Sequence, residues 1–278
     1  MRAAVVFAAA VAVDQLLGLG LAPERVMLIL LAPAIVLGCA RRYLLDWVPF
    51  GALLAAYALL RGFANVLRPD PYFLPQLKAD RFLFGGDVPA AVLQHWFWDG
   101  GVRWYDHLVL IVKDVHLLVP LTLAFVLWLR RRALFYRFAA TLLLLSFAAA
   151  VTFLIFPAAP PWAAADDGLL QVTRIGGGAT TASAGNGVYS MVHANPYAAI
   201  PSLHAGYAVL VFLFAAGLAW RRGRRLLAAA ALLYPLAQSF AVVYTGNHYV
   251  VDLLIGGAYA GASFVAVRVA WSRLRLPE

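Results

Sequence analysis

Pro201-Ser202-Leu203-His204-Ala205-Gly206 opens one long apolar run, and Gly246-Asn247-His248-Tyr249-Val250-Val251-Asp252 opens another. Between the two histidines the chain is almost wholly hydrophobic, broken only by Arg221-Arg222-Gly223-Arg224-Arg225. A helix of about 20 residues is about 30 Å long, enough to cross the hydrocarbon core of a bilayer. Going down and back returns the chain to its starting face. The pattern therefore predicts two antiparallel transmembrane helices, with His204 and His248 meeting at one membrane surface. Asp252 should lie one helical turn below His248.

Composition extends this reading to the whole chain. The sequence is 64% hydrophobic and 13% charged, against about half and about a quarter in soluble domains. The expected fold is all-α: a polytopic integral membrane bundle of about eight transmembrane helices, within a range of six to eight. Spans are expected near 3–21, 26–40, 48–66, 107–129, 134–156, 204–220, 226–245 and 249–270. Asp14 interrupts the first, and the second is short and contains Pro33. Residues 1–45 are expected to form N-terminal transmembrane helices, and 46–278 the membrane core. The single cysteine, Cys39, excludes an internal disulfide.

The net charge of +9 raises the question of nucleic acid, but its distribution argues for a membrane instead. Basic clusters fall at Arg41-Arg42, at Arg130-Arg131-Arg132 with Arg137, at Arg221 to Arg225, and at Arg273 with Arg275. With eight spans all of them fall on one side, which by the positive-inside rule makes both termini cytoplasmic. Segments 67–106 and 157–203, His204 and His248 are then external. Met1-Arg2 followed by an Ala/Val run shares features with a signal peptide. The reading keeps it as a span, and cleavage would leave the later spans oriented as before.

The outer segments carry their own signals. Trp96, Trp98, Trp104 and Tyr105 in 67–106 suit the headgroup level, so this segment either lies on the membrane or simply connects spans. Phe156-Pro157-Ala158-Ala159-Pro160-Pro161-Trp162 must end the preceding helix sharply. Residues 176–187, small and glycine-rich, read as a lid or a slack linker.

His248 and Asp252 are spaced to share a helix face. The carboxylate can take a hydrogen bond from one imidazole nitrogen and leave the other as nucleophile or base. The same spacing suits two metal ligands or a buried structural pair. Pro201 and Ser202 before His204 are ordinary helix-start residues. Together, two histidines and a carboxylate at a lipid–water boundary suggest covalent phosphoryl transfer.

These motifs resemble the type-2 phosphatidic acid phosphatase superfamily, and within it the inositol phosphorylceramide synthase-like branch. The resemblance rests on Ala199 to Gly206, Tyr244 to Asp252 and Phe156 to Trp162, with support from Tyr57-Ala58-Leu59-Leu60-Arg61 and Leu83-Phe84-Gly85-Gly86. It implies that His248 attacks phosphorus, that Asp252 holds its tautomer, and that His204 protonates the departing alcohol and deprotonates the incoming one. It implies no metal and no cofactor. Phosphatases of the superfamily carry a Ser-Arg pair where this chain has Ala241 and Val242, a departure that favours the synthase-like branch. The phosphate clamp must then be sought elsewhere. Arg61 and Arg68, two turns apart, are the first candidates; Lys113 and His116, on one face of the fourth span, are the next, although Lys113 also has Asp114 beside it as a structural partner. Ser202, Tyr244 and Asn247, inside the motifs, are further candidates for substrate contacts.

The function so implied is transfer of a phosphorylated headgroup, phosphoinositol, from a phospholipid donor to a lipid alcohol acceptor in the bilayer. A lipid phosphatase acting on a phosphatidic acid or isoprenyl phosphate would use the same residues. A transporter using the histidines as an ion or proton relay is the alternative from another class. The Ala/Leu/Arg/Gly-rich composition suggests a bacterial plasma membrane.

Overall fold

The computed structural model describes residues 2–17, 21–67, 70–176, 195 and 197–274. Arg68, His193 and most of 176–187 lie outside the described residues. Helices are numbered in chain order: α1 Arg2–Leu16, α2 Pro23–Val36, α3 Ala40–Leu67, α4 Leu74–Leu83, α5 Pro89–Phe97, α6 Trp104–Asp114 and α7 Leu118–Arg130. They continue with α8 Arg132–Ile155, α9 Pro161–Asp166, α10 Leu203–Arg221, α11 Arg225–Ala230, α12 Leu233–Tyr244 and α13 Val250–Arg273. The only β pairing among the described residues is two isolated bridges through Ala158.

The protein is an all-α polytopic membrane bundle. Among the described residues five stretches are long and apolar enough to cross a bilayer: Ala40–Gly62, Arg132–Ile155, Leu203–Arg221, Arg225–Tyr244 and Val250–Arg273. A sixth is the pair α6 and α7, bent by 49° at a short break. This is the lower end of the expected range. Helices α1 and α2, at 15 and 14 residues, are shorter than the roughly 20 residues a span needs. Asp14 and Pro33 mark those same two segments. Helix α3 runs unbroken through residues 45 and 46.

The core follows from the sequence of these helices. Helix α10 packs most closely on α13, α8 sits against α3, α7 and α13, and α2 joins α3 to α7. One end of the bundle is held by stacked aromatics, Trp47 lying over Tyr43 and Phe135 at centroid distances of 5.0 and 5.4 Å. There the buried Asp46 accepts hydrogen bonds from Trp128 Nε1 (2.7 Å), Tyr136 Oη (2.7 Å) and Arg132 Nε (2.9 Å). The basic clusters gather at this end, with Arg42 over the Trp128 ring and Arg130, Arg131, Arg132 and Arg221 around one cavity.

The opposite end carries His204 and His248 and is covered by the segment between α3 and α6. That segment contains helices α4 and α5, which pack on α13 and α12 respectively. Leu77, Val88 and Ala90 from this cover bury against Val242, Val243, Tyr249 and Leu253. Trp96 and Trp104 remain exposed at its outer surface. The segment is both a helical cap and a bearer of interfacial aromatics.

Candidate active site

The site begins with two helix starts. Ser202 precedes α10, and its Oγ accepts the amide hydrogen of Ala205 at 3.4 Å. Helix α13 begins after Tyr249, and Asp252 Oδ2 accepts the Tyr249 amide hydrogen at 2.9 Å. The two starts are tied together by the Ser202 amide, which donates to the Asp252 carbonyl at 3.0 Å. Just below, Gly256 meets the Ser202 backbone so closely that a Cβ would overlap the Ser202 carbonyl oxygen. Close approach of the two helix starts brings their histidines together.

His204 Nδ1 lies 3.2 Å from His248 Nε2. The other nitrogen of His248, Nδ1, faces Asp252 Oδ2 at 3.3 Å. Asp252 is fully buried and His248 nearly so. One carboxylate oxygen thus serves as helix cap and as partner of the imidazole, while Oδ1 has no hydrogen-bond partner among the described residues. A carboxylate on Nδ1 holds that nitrogen protonated and leaves Nε2 with its lone pair, directed at His204.

A third imidazole joins them. The break between α6 and α7 falls at Val115-His116-Leu117 and brings the His116 ring to 4.2 Å from that of His204, centroid to centroid. His116 Nδ1 lies 3.1 Å from the Lys113 carbonyl. The cations of Lys113 and Arg61 are within electrostatic range of both His116 and His204. Lys113 also pairs with Asp114 at 2.9 Å. Of the expected clamp residues, His116 lies against His204 and bonds to the backbone carbonyl of Lys113.

The polar groups of Ser202, Tyr244 and Asn247 are engaged within the protein. Ser202 is fully buried in its capping role. Tyr244 Oη donates to Asp106 Oδ1 at 2.6 Å, and Asn247 Nδ2 donates to Thr245 Oγ1 at 2.7 Å. Ala241 and Val242, where the phosphatases carry Ser-Arg, are buried, and Val242 lies in the apolar cluster under the cap.

Two supports, Asp80 and Gln94, were not apparent from sequence. Asp80 of α4, completely buried, accepts the amide hydrogens of Val250 and Val251 at 2.9 Å each. It caps α13 from another helix. Burial pushes its carboxyl above the ordinary range, opposed by the two amide donors. Gln94 of α5 donates to the carbonyls of Thr173 and Tyr244, both at 2.8 Å, tying the cap to the His248 turn. That turn needs Gly246: its φ is +74°, and a Cβ would sit 2.8 Å from Val172 and 3.0 Å from the Thr173 carbonyl. The Gly246 carbonyl accepts the amide hydrogen of Trp162 at 3.1 Å, which docks the Pro-Pro-Trp segment onto the site.

With this geometry in view, the family model for the PAP2 superfamily matches residues 78–266, more than half of the chain. The protein belongs to the PAP2 superfamily. It is similar to a phosphoinositol dihydroceramide synthase of Bacteroides thetaiotaomicron, 26% identical over 149 residues, which cover 50% of this chain and 47% of that protein. The chain thus spans about half the length of the curated relative it matches. No solved structure matches.

Proposed function

We propose that the protein is a membrane phosphotransferase that moves a phosphorylated headgroup, phosphoinositol, from a phospholipid to the hydroxyl of a second lipid. The observation that carries this is the contact between His248 Nε2 and His204 Nδ1 with Asp252 on the far nitrogen. His248 Nε2 attacks phosphorus while the P–O bond to the diacylglycerol breaks. His204 gives its proton to that departing oxygen. The headgroup then rests on His248 as a phosphoramidate. His204, now neutral, removes the proton of the incoming lipid hydroxyl, whose oxygen attacks phosphorus, and the N–P bond breaks. One acid–base group serves both halves.

Arg61, Lys113 and His116 are the groups we assign to the phosphate. Fixed cations beside a transferring phosphoryl group stabilise it most where water is excluded. The relative's name supports phosphoinositol as the headgroup and a ceramide-type acceptor. The lone pair of His248 Nε2 is directed at His204 Nδ1, so attack on phosphorus takes the place of that contact.

Purified protein given phosphatidylinositol labelled in its headgroup, with and without ceramide, tests the proposal. The expected result is label in a new lipid only when ceramide is present. It should pass through an acid-labile phosphoenzyme that His248→Ala lacks. Release of water-soluble inositol phosphate with no lipid product, at the same rate with or without ceramide, would replace transferase by phosphatase.

A further inference from the structure

The end of the bundle opposite the histidines contains two adjoining cavities, of about 440 and about 500 Å³. They share Arg137 of α8 and Arg221 of α10, and the second adds Arg268 of α13. No acidic residue lines either cavity among the described residues. Nearby Arg132 is already matched to Asp46, whereas no ion pair of Arg137, Arg221 or Arg268 occurs among the described residues. Three like charges converging from three helices repel one another, the more so next to hydrocarbon. Among the described residues nothing supplies their counter-charge, which leaves the cavities suited to an anionic ligand.

Topological positive charge accounts for basic residues at this end of the bundle but not for three of them lining shared cavities. The positive-inside rule needs basic residues near span ends, and Arg222, Arg224 and Arg225 in the α10–α11 connection meet it while lining neither cavity. Arg137 and Arg268 instead lie within helices α8 and α13. The walls also exclude a purely aqueous ligand. Phe214, Leu218 and Phe264 line the first cavity, and Val265 and Val269 line the second while being 56% and 42% exposed on the outer face of α13. Trp271 at the mouth is a residue suited to the headgroup level.

We propose that these joined cavities bind one anionic phospholipid, its phosphate clamped by Arg137, Arg221 and Arg268 and its acyl chains along Val265 and Val269. Guanidinium forks match phosphate oxygens bidentately, and basic pockets between transmembrane helices on one face are suited to anionic headgroups. On helix α10, Leu203–Arg221, the rise from His204 to Arg221 is about 26 Å. The bound lipid is therefore distinct from any substrate at the histidines. It ties α8 to α10, which carries His204, and to α13, which follows His248.

Delipidated protein in neutral detergent, titrated with phosphatidylglycerol, phosphatidylcholine or inorganic phosphate, provides the test, read by the melting temperature and by native mass spectrometry. Phosphatidylglycerol should raise the melting temperature saturably and appear as one retained lipid; the other two should do neither. Arg137→Gln with Arg221→Gln should weaken the phosphatidylglycerol midpoint about tenfold or more, and Arg268→Gln alone should weaken it less. Arg222→Gln with Arg224→Gln should leave it unchanged. Equal stabilisation by phosphatidylcholine, saturation by phosphate alone, or equal loss in the Arg222/Arg224 control would each overturn the site. So would an unchanged midpoint in Arg268→Gln, which serves if the double variant does not fold.

Discussion

At the scale of single residues the site depends on carboxylates that do two things at once. Asp252 caps α13 and faces His248 with the same oxygen. Asp252→Asn preserves an acceptor for one of these bonds but can present its amide to His248 and favour the wrong tautomer. Turnover should fall by about 10²- to 10⁴-fold, with helix content by circular dichroism unchanged. Asp80 carries no chemistry, yet its loss should be felt at His248. Asp80→Ala orphans two buried amide hydrogens, at about 1–3 kcal/mol each. The sign of its pH effect follows from the raised folded-state carboxyl. Between the unfolded value and the higher folded value the native protein holds more proton than the unfolded chain, so the stability tied to Asp80 declines as pH rises through that window. Thermal melts across the mildly acidic range should show the difference between wild type and Asp80→Asn shrinking as pH increases; a constant difference would mean the carboxyl titrates alike in both states. His204, His248 and Asp252 were legible because helix spacing and span length bring them together. Asp80 was not, because its partners lie 170 and 171 positions away and nothing local marks an acid that caps a distant helix.

At the scale of elements, the meeting of His204 and His248 rests on how closely α10 and α13 approach. Gly256 faces the Ser202 carbonyl with no room for a Cβ, whereas a Cβ at Gly257 would meet only Val209 Cγ2 at 3.7 Å, an ordinary contact. Gly256→Ala must therefore shift the backbone that sets His204, and a displacement of about 1 Å at a reacting group costs on the order of 100-fold in rate. Gly257→Ala should leave activity intact and stabilise α13 by up to about 1 kcal/mol. Assay of the two variants side by side, with melting temperatures, separates docking of the helices from glycine loss in general; equal activity would show that the approach is not limiting. The helices themselves were readable from apolar run length. Run length alone did not show the bend at His116, whose cause is Pro120: it has no amide hydrogen to donate and its ring crowds the carbonyl four residues back, that of His116. Helices α4 and α5 were also hidden. Their residues carry turn and aromatic signals that suit a surface segment, and their burial comes from the histidine end they cover.

At the scale of the whole molecule the two ends differ in charge and task. Histidines, cap helices and exposed Trp96 and Trp104 lie at one end; Arg42, Arg132, Arg221 and Arg268 lie at the other. Asp46 locks the arginine end by joining α3 to α7 and α8, and Asp46→Ala should lower the unfolding free energy by about 3 kcal/mol at most, since Arg132 is half exposed and can rehydrate. The polarity also yields a prediction of orientation. Positive charge resists translocation, so the arginine end should stay in the cytoplasm and the histidines should work at the outer leaflet. A Cys39→Ser background permits single-cysteine mapping, because Cys39 is the sole thiol. Val102→Cys, in the exposed connection before α6, and Arg222→Cys, after α10, probe opposite ends. On intact cells a membrane-impermeant maleimide should label Val102→Cys and spare Arg222→Cys until the membrane is opened. The reverse pattern would put the histidines at the inner leaflet and require both lipid substrates to be presented from the cytoplasmic side.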